Sequence, residues 1–191
     1  IVSFHFGLPD EPLLERVQAT GALIIGCATT VAEAIILDRC GVDAIIAQGY
    51  EAGGHTGRFI EQDPREALGL FALIPQIVRE VAVPVIAAGG IADGRGVAAA
   101  LTLGASAVQV GTAYLLAEEA TTSVVHRAAL APGLAIETAI TNVFTGRPAR
   151  GIVNRLMREL GPMSDTVPAF PLAAAAIAPL RAKAESMGSS D

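Results

Sequence analysis

The chain is poor in aromatic residues, cysteine and charge. Its 191 residues include no Trp, two Tyr and six Phe, so aromatics make up 4%. Two cysteines, Cys27 and Cys40, are too few for a disulfide framework or a zinc site of their own. Both lie in apolar runs, which predicts buried free thiols in a reducing compartment. Charged residues reach 17%, the net charge is −6, and no Lys/Arg cluster stands out, which excludes a nucleic-acid surface. No apolar run has the unbroken length of a membrane span, and no secretory signal pattern is visible, so a cytoplasmic enzyme is the expectation. There is no P-loop, no G-x-G-x-x-G after a strand and no H-E-x-x-H. The three dispersed histidines predict no metal site.

What is present is apolar and rhythmic. Hydrophobic residues make up 52%, in the Ala/Val/Ile/Leu/Gly mixture of buried parallel strands covered by helices. The length suits one domain with a sizeable core. Strand-like runs at Ile1–Phe6, Ala22–Gly26, Ala44–Ala47, Val83–Ala88 and Ala107–Val110 alternate with helix-like stretches. Those stretches are Glu11–Thr20, Thr30–Cys40, Ala72–Val81, Gly94–Leu103 and a last one reaching about Leu116. Thr30 with Glu33 forms a capping-box pattern. Gly21, Gly41 and Gly104 stand where helices would stop.

Five βα units in series predict an α/β fold with a parallel sheet and right-handed crossovers. A doubly wound sheet and a (β/α)8 TIM barrel compete. The barrel is preferred because chemistry-bearing residues follow several successive strands, and in a barrel those loops share one mouth. The chain begins inside a strand-like run, and five units are fewer than eight. It therefore reads as about the last five βα units of a barrel plus a C-terminal helical segment. Residues 1–130 would be barrel, and residues 131–191 a loop and helical segment packed on it. In that tail, Thr141–Gly151 reads as a polar, Gly/Pro-punctuated segment and Ile152–Leu160 as a helix. Leu172–Ser186 reads as an Ala-rich helix interrupted at Pro179.

The densest cluster is Ala47-Gln48-Gly49-Tyr50-Glu51-Ala52-Gly53-Gly54-His55-Thr56-Gly57, directly after a strand. Glycine lets backbone approach a ligand closely, and imidazole is suited to taking a proton near neutral pH. A Gly-rich loop with a surface His is the plain alternative. Gly89-Gly90 and Gln109-Val110-Gly111-Thr112 end two consecutive strands and offer N–H groups for a phosphate. One pair at a time, tight βα turns are the better explanation of the glycines; as consecutive strand ends the two pairs favour a phosphate. Gln48 can bond the edge of a planar heterocycle as donor and acceptor. A flat, phosphate-bearing cofactor in a barrel points to FMN. His5 can line the pocket or sit in the core, and His126 reads as a surface residue. Glu51, Arg147 and Arg150 stay open between site and structural roles.

These motifs resemble the nitronate monooxygenases (2-nitropropane dioxygenases) of the FMN-dependent barrel type, along nearly the whole chain. Ser3–Gly7 looks like the family's mid-barrel strand and Ala47–Gly57 like its signature loop. Ala87–Gly90 and Gln109–Thr112 look like its FMN-phosphate loops. Phe144–Gly151 and Val167–Pro171 look like its C-terminal segment. The resemblance implies His55 as catalytic base. It implies FMN contacts from Gln48, Gly53, Gly90, Gln109, Val110, Gly111 and Thr112, with Gly89 beside them. It further implies oxidation of alkyl nitronates such as propionate 3-nitronate, or of nitroalkanes, with O2, giving a carbonyl product and nitrite. The implied partners are these small molecules, with room for a homo-oligomer. Cys27 falls where some members carry Lys, which removes one positive charge from the flavin's surroundings. An FMN- and NAD(P)H-dependent enoyl-ACP reductase shares the Glu-Ala-Gly-Gly-His and Gly-Thr loops and is the nearest rival. A fragment or binding module without catalysis is the third reading.

Overall fold

In chain order the elements are β1 (Val2–Phe4), α1 (Glu11–Gln18), β2 (Ile24–Ala28), α2 (Val31–Arg39), β3 (Ala44–Gln48), β4 (Gly54–His55), α3 (Leu70–Glu80), β5 (Val85–Ala88), α4 (Gly94–Thr102), β6 (Ala107–Gln109), a 3-10 turn (Thr112–Leu116), α5 (Val124–Ala129), β7 (Thr138–Thr141), β8 (Ala149–Ile152), α6 (Arg155–Leu160) and α7 (Leu172–Ser186). This computed structural model describes residues 1–60, 67–131 and 137–189. They form two compact units, Ile1–Ala52 with Gly57–Gly111, and Gly53–Thr56 with Thr112–Asp191.

The first unit is a five-stranded sheet in the order β1-β2-β3-β5-β6, with every neighbouring pair parallel. The strands alternate faces, as the two-residue period requires. Ile24, Ala28, Ile45, Ala47 and Val85 form one cluster with Leu14 of α1, Ala34 and Leu37 of α2, and Leu73 and Ile77 of α3. Ala87 joins Leu70 and Ile74 of α3 and Ala100 of α4, with Val108 packed against them. The register places these strand residues on the same face, so all four helices cover one side of the sheet. Cys27, Ile46 and Ala88, with Ile25 and Ile86, line the other side.

Sequential strand order with helices on one side is not the doubly wound arrangement, whose order reverses at a switch point. The parallel α/β reading of the sequence holds in this unit. Gly21, Gly41 and Gly104 all have positive φ at the helix ends where the sequence placed them.

The second unit is built on a three-stranded sheet in the order β4-β8-β7, with both pairs antiparallel. The sequence reading missed it, taking Thr141–Gly151 as an irregular segment. The cause is visible in the strands. β7 and β8 have four residues each, and β8 is half-buried throughout, so neither shows a clean alternation. The connection is clamped by a side chain that imitates a strand: Asn142 Nδ2 donates to Ser164 O and its Oδ1 accepts from Ser164 N, both at 3.0 Å.

Two other expectations are corrected. The stretch ending at Leu116 is a 3-10 turn of five residues. α7 also continues through Pro179 rather than breaking there. Proline removes one helical hydrogen bond. The carbonyl it would have bonded belongs to Ala175, an exposed residue among alanines of high helix propensity.

Glu33 departs from its expected role as well. Thr30 Oγ1 does cap Glu33 N at 3.1 Å. The Glu33 carboxylate, however, does not close a box onto Thr30. It is fully buried, and its Oε2 accepts from Thr29 N and Thr29 Oγ1, both at 2.7 Å. Its Oε1 accepts from Phe59 N at 2.7 Å and Ile60 N at 3.0 Å. One carboxylate thereby satisfies donors just after β2 and from the segment that follows Gly57. Replacing Glu33 by Ala strands these donors in a part-buried setting. The expected loss is about 3–5 kcal/mol of stability, read as a lower urea midpoint of the full-length protein. A change within about 0.5 kcal/mol, the size of an ordinary surface substitution, would contradict the network's role.

Candidate active site

In the first unit, the sequence-predicted residues gather at the C-terminal ends of β3, β5 and β6. Gln48 pairs in register with Ala88, and Ala88 with Gln109, so the three stand side by side on adjacent strands. Gln48 is buried and Gln109 exposed. Gln48 Oε1 accepts from Gly57 N at 2.7 Å. That bond fixes the amide's orientation: its carbonyl end is committed to the protein backbone, and its amide nitrogen is the end with hydrogen-bond donors.

Gly89 and Gly90 follow β5 with φ of 119° and 66°, a region that L side chains avoid. A Cβ on Gly89 would lie 3.1 Å from Ala52 N, and one on Gly90 3.2 Å from Glu51 Cβ. The pair is thus required by a tight turn and by the close approach of the Glu51–Ala52 loop. Among the described residues, the N–H groups of Gly89, Gly90 and Gly111 have no backbone acceptor. Gly111 also has open space where a side chain would stand. Backbone donors beside open space are what a phosphate cradle is built from. The N-terminus of α4 is not part of it. Asp93 Oδ1 already accepts from Arg95 N and Gly96 N at 3.0 Å, so a carboxylate occupies that end of the helix.

Glu51, left open by the sequence, has a structural task. Its two carboxylate oxygens accept from Leu70 N at 3.1 and 2.9 Å. This stands in for the side-chain cap that Gly69 cannot supply at the start of α3.

The second unit holds the rest. Gly53 and Thr112 are brought together, since a Cβ on Gly53 would lie 2.8 Å from Thr112 Oγ1. His55 lies on β4 opposite Ala149 of β8, and Thr56 N donates to Pro148 O at 3.0 Å. The half-buried imidazole is held by two side chains that the sequence reading did not single out. Its Nε2 is 2.9 Å from Thr145 Oγ1. The Phe170 ring meets it edge to face, with centroids 5.8 Å apart and planes at 82°. The Arg147 guanidinium lies over the same Phe170 ring at 5.9 Å.

Gly146 makes this packing possible. A Cβ there would collide with Pro168 O, Phe170 N and the carbonyl carbon of Ala169. The signal for Thr145 and Phe170 was present in the sequence as two motif-like segments, but their pairing with His55 joins residues 90 apart in one case.

The remaining candidates separate. His5 stacks edge-on to Phe6 at 4.7 Å. His126 is exposed in α5, as expected of a surface residue. Arg150 donates to Thr138 Oγ1 at 3.0 Å across β7 and β8. Cys27 is buried, but Cys40 is exposed at the end of α2, which corrects the expectation for that thiol. As the C-cap residue, Cys40 lies beyond the face of α2 that packs on the sheet. Burial, and then the Glu33 carboxylate, push the Cys27 thiol up to about 12. It is therefore a neutral thiol at physiological pH and supplies no charge to its surroundings. Among the described residues no group of His, Cys, Asp and Glu could hold a metal ion. No helix among them is long and apolar enough to cross a membrane.

Comparison with known proteins adds a family. The family model for nitronate monooxygenase matches residues 1–191. A probable nitronate monooxygenase of Staphylococcus aureus (strain Newman) is 42% identical over 189 residues, covering 98% of this chain and 53% of that protein. The crystal structure of nitroalkane oxidase from Streptomyces ansochromogenes superposes with a TM-score of 0.90 at 42% identity, covering 99% of this chain and 55% of that one. FabK from Thermotoga maritima superposes less well, with a TM-score of 0.69 at 31% identity, covering 97% of this chain and 52% of that one. The chain spans about half the length of each of these relatives.

The thiols give a direct check of the local environments. In native full-length protein at pH 8, iodoacetamide should label Cys40 and leave Cys27 unmodified, as resolved by peptide mass spectrometry. Cys27 should label only after denaturation. Rapid native labelling of Cys27 would contradict its burial and raised pKa.

Proposed function

Because the chain belongs to the nitronate monooxygenase family, we propose that its protein oxidises alkyl nitronates, such as propionate 3-nitronate, and nitroalkanes with O2, yielding a carbonyl product and nitrite. The observation that carries this reading is an imidazole, His55, held in one orientation by Thr145 and Phe170 on the loop that the family motif marks. The cofactor is FMN. Its phosphate fits the N–H groups of Gly89, Gly90 and Gly111, where the backbone leaves donors and space. Gln48, oriented by the bond from Gly57 N to its amide oxygen, borders the cofactor at the end of β3. Gly53, Gln109, Val110 and Thr112 complete the contacts. Bound FMN supplies an acceptor for the nitronate's electrons and a route for them to O2.

The chain's own residues supply orientation and proton transfer. His55 takes the carbon proton of a neutral nitroalkane, as a positioned general base does. A nitronate is already deprotonated at that carbon and asks less of it. Cys27, as a neutral thiol, leaves any anionic charge on the cofactor to be met by N–H donors.

The scaffold in this reading is a (β/α)8 barrel to which these five strands contribute. Sequential order with one-sided helices leaves the opposite sheet face apolar, and barrel closure is how such a face is buried. The partners are the small-molecule substrate and O2, and the setting is cytoplasmic.

The first test is the anaerobic visible spectrum of the purified full-length protein before and after propionate 3-nitronate. Reduction of the flavin bands is expected. Bands that ignore the nitronate, together with NADH consumption on crotonyl-CoA, would replace this reading with an enoyl reductase. A protein that purifies without flavin would leave a binding module. The His55→Asn variant should retain FMN and lose at least ~10²-fold in turnover of nitroethane, with a smaller loss on the nitronate. Small, equal losses on both would remove His55 from the base role.

A further inference from the structure

We propose that Glu51 is a positioning residue for the cofactor phosphate: its carboxylate ties the turn at residues 49–52 to the start of α3 and so braces that turn against Gly89 and Gly90. The proposal rests on the reading that those two glycines hold the FMN phosphate.

The brace has two ends, both in the first unit. At one end the Glu51 carboxylate oxygens accept from Leu70 N at 3.1 and 2.9 Å. The carboxylate thereby sits at a helix N-terminus, where the backbone dipoles favour an acid. At the other end the stem of the side chain lies on the glycine turn. A Cβ on Gly90 would meet Glu51 Cβ at 3.2 Å and Cγ at 3.6 Å. One on Gly89 would meet Ala52 N at 3.1 Å, Cβ at 3.2 Å and Cα at 3.3 Å. Glu51 thus spans from the turn to the helix, with its methylenes toward Gly90 and its oxygens on Leu70.

Backbone bonds fix the residues around it. Gly49 N donates to Ala88 O at 2.9 Å, Tyr50 N to Leu68 O at 2.9 Å, and Ala52 N to Gly49 O at 3.1 Å. Residue 51 is the one whose stem meets Gly90, and its side chain adds a tie at that point. Gly89 and Gly90 have φ of 119° and 66°, and glycine has no Cβ to limit how far such a turn relaxes. The neighbouring loop supplies the limit. Donors held in place before a ligand arrives bind it more tightly than donors that must be ordered on binding. A carboxylate has only acceptors, so Glu51 acts on a phosphate through the turn and not by contact.

The test uses the full-length protein, stripped of FMN and titrated with it. Binding is read from flavin fluorescence and stability from the urea midpoint. Glu51 is exposed, so its truncation opens no cavity in the core. In Glu51→Ala the FMN Kd should rise about tenfold, the worth of one good hydrogen bond, and the urea midpoint should fall. Glu51→Gln keeps an oxygen for Leu70 N and should hold the Kd within about threefold of wild type. The deciding variant combines Glu51→Ala with Gly69→Ser. Gly69 stands at the N-cap of α3 with extended backbone, and among the described residues a Cβ there would meet only the Glu51 carboxylate. Serine supplies a side-chain cap, so the urea midpoint should recover while the Kd stays raised. Recovery of the Kd along with the cap would leave Glu51 a helix cap and nothing more, and overturns the proposal. So does a Glu51→Ala Kd within about twofold of wild type, or a Glu51→Gln variant as weak as Glu51→Ala. The capped double variant decides even if Glu51→Ala alone does not fold. If the wild-type protein binds FMN and the nitronate reduces it, these outcomes strike only this inference. A wild-type protein that binds no FMN strikes the cofactor reading, and this inference with it.

Discussion

Between β3 and α3 only β4 joins a sheet, and among the described residues several backbone N–H groups there lie outside any ladder. Buried or half-buried backbone donors must find acceptors. In the first unit three side chains are among the acceptors: Glu33 for Phe59 and Ile60, Gln48 for Gly57, and Glu51 for Leu70. Glu33 is the extreme case, a fully buried side chain that accepts from three backbone N–H groups and one hydroxyl. Such a group is tolerated when every lone pair has a donor. The conformation of the loops that carry the family motif depends on these acceptors.

This requirement changes how the glycines and acids of the motif are read. Glu51 lies inside the most chemistry-like stretch of the chain, yet it caps a helix. Gly89 and Gly90 are needed by the turn and by the neighbouring loop before any ligand is considered. The same backbone that packs so closely leaves N–H groups without backbone acceptors, and those are what an anion would use. Packing and binding are therefore not alternatives at these positions. A turn tight enough to exclude side chains is also one that exposes its donors.

His55 shows a different dependence. Its strand has two residues and is an edge of the second unit's sheet. Its orientation comes from side chains on the turn after β7 and on the segment before α7. Gly146 admits that segment, Phe170 packs on the imidazole, and Thr145 bonds it. An imidazole on so short a strand is held in one orientation by groups distant in sequence.

The sequence alone determined the repeated parallel βα pattern, because apolar runs of strand length, helix-period stretches and C′ glycines are local signals. It also determined where the candidate residues stand on that scaffold: Gln48 and Gln109 end strands, Gly89, Gly90 and Gly111 lie just beyond them, and such ends are legible from the same pattern. Strand order needed the tertiary structure, since nothing local tells a doubly wound sheet from a singly wound one. So did the antiparallel sheet of β4, β7 and β8, whose strands are too short and too evenly half-buried to show a period. So did the continuity of α7 through Pro179, where exposure removes the cost of a lost bond. The partners of Glu33, Glu51 and His55 were decided there as well. Apart from Glu33 with its neighbour Thr29, the hydrogen bonds of these groups join residues between 19 and 90 positions apart, and a hydrogen bond over that span leaves no periodicity in the sequence from which to read it.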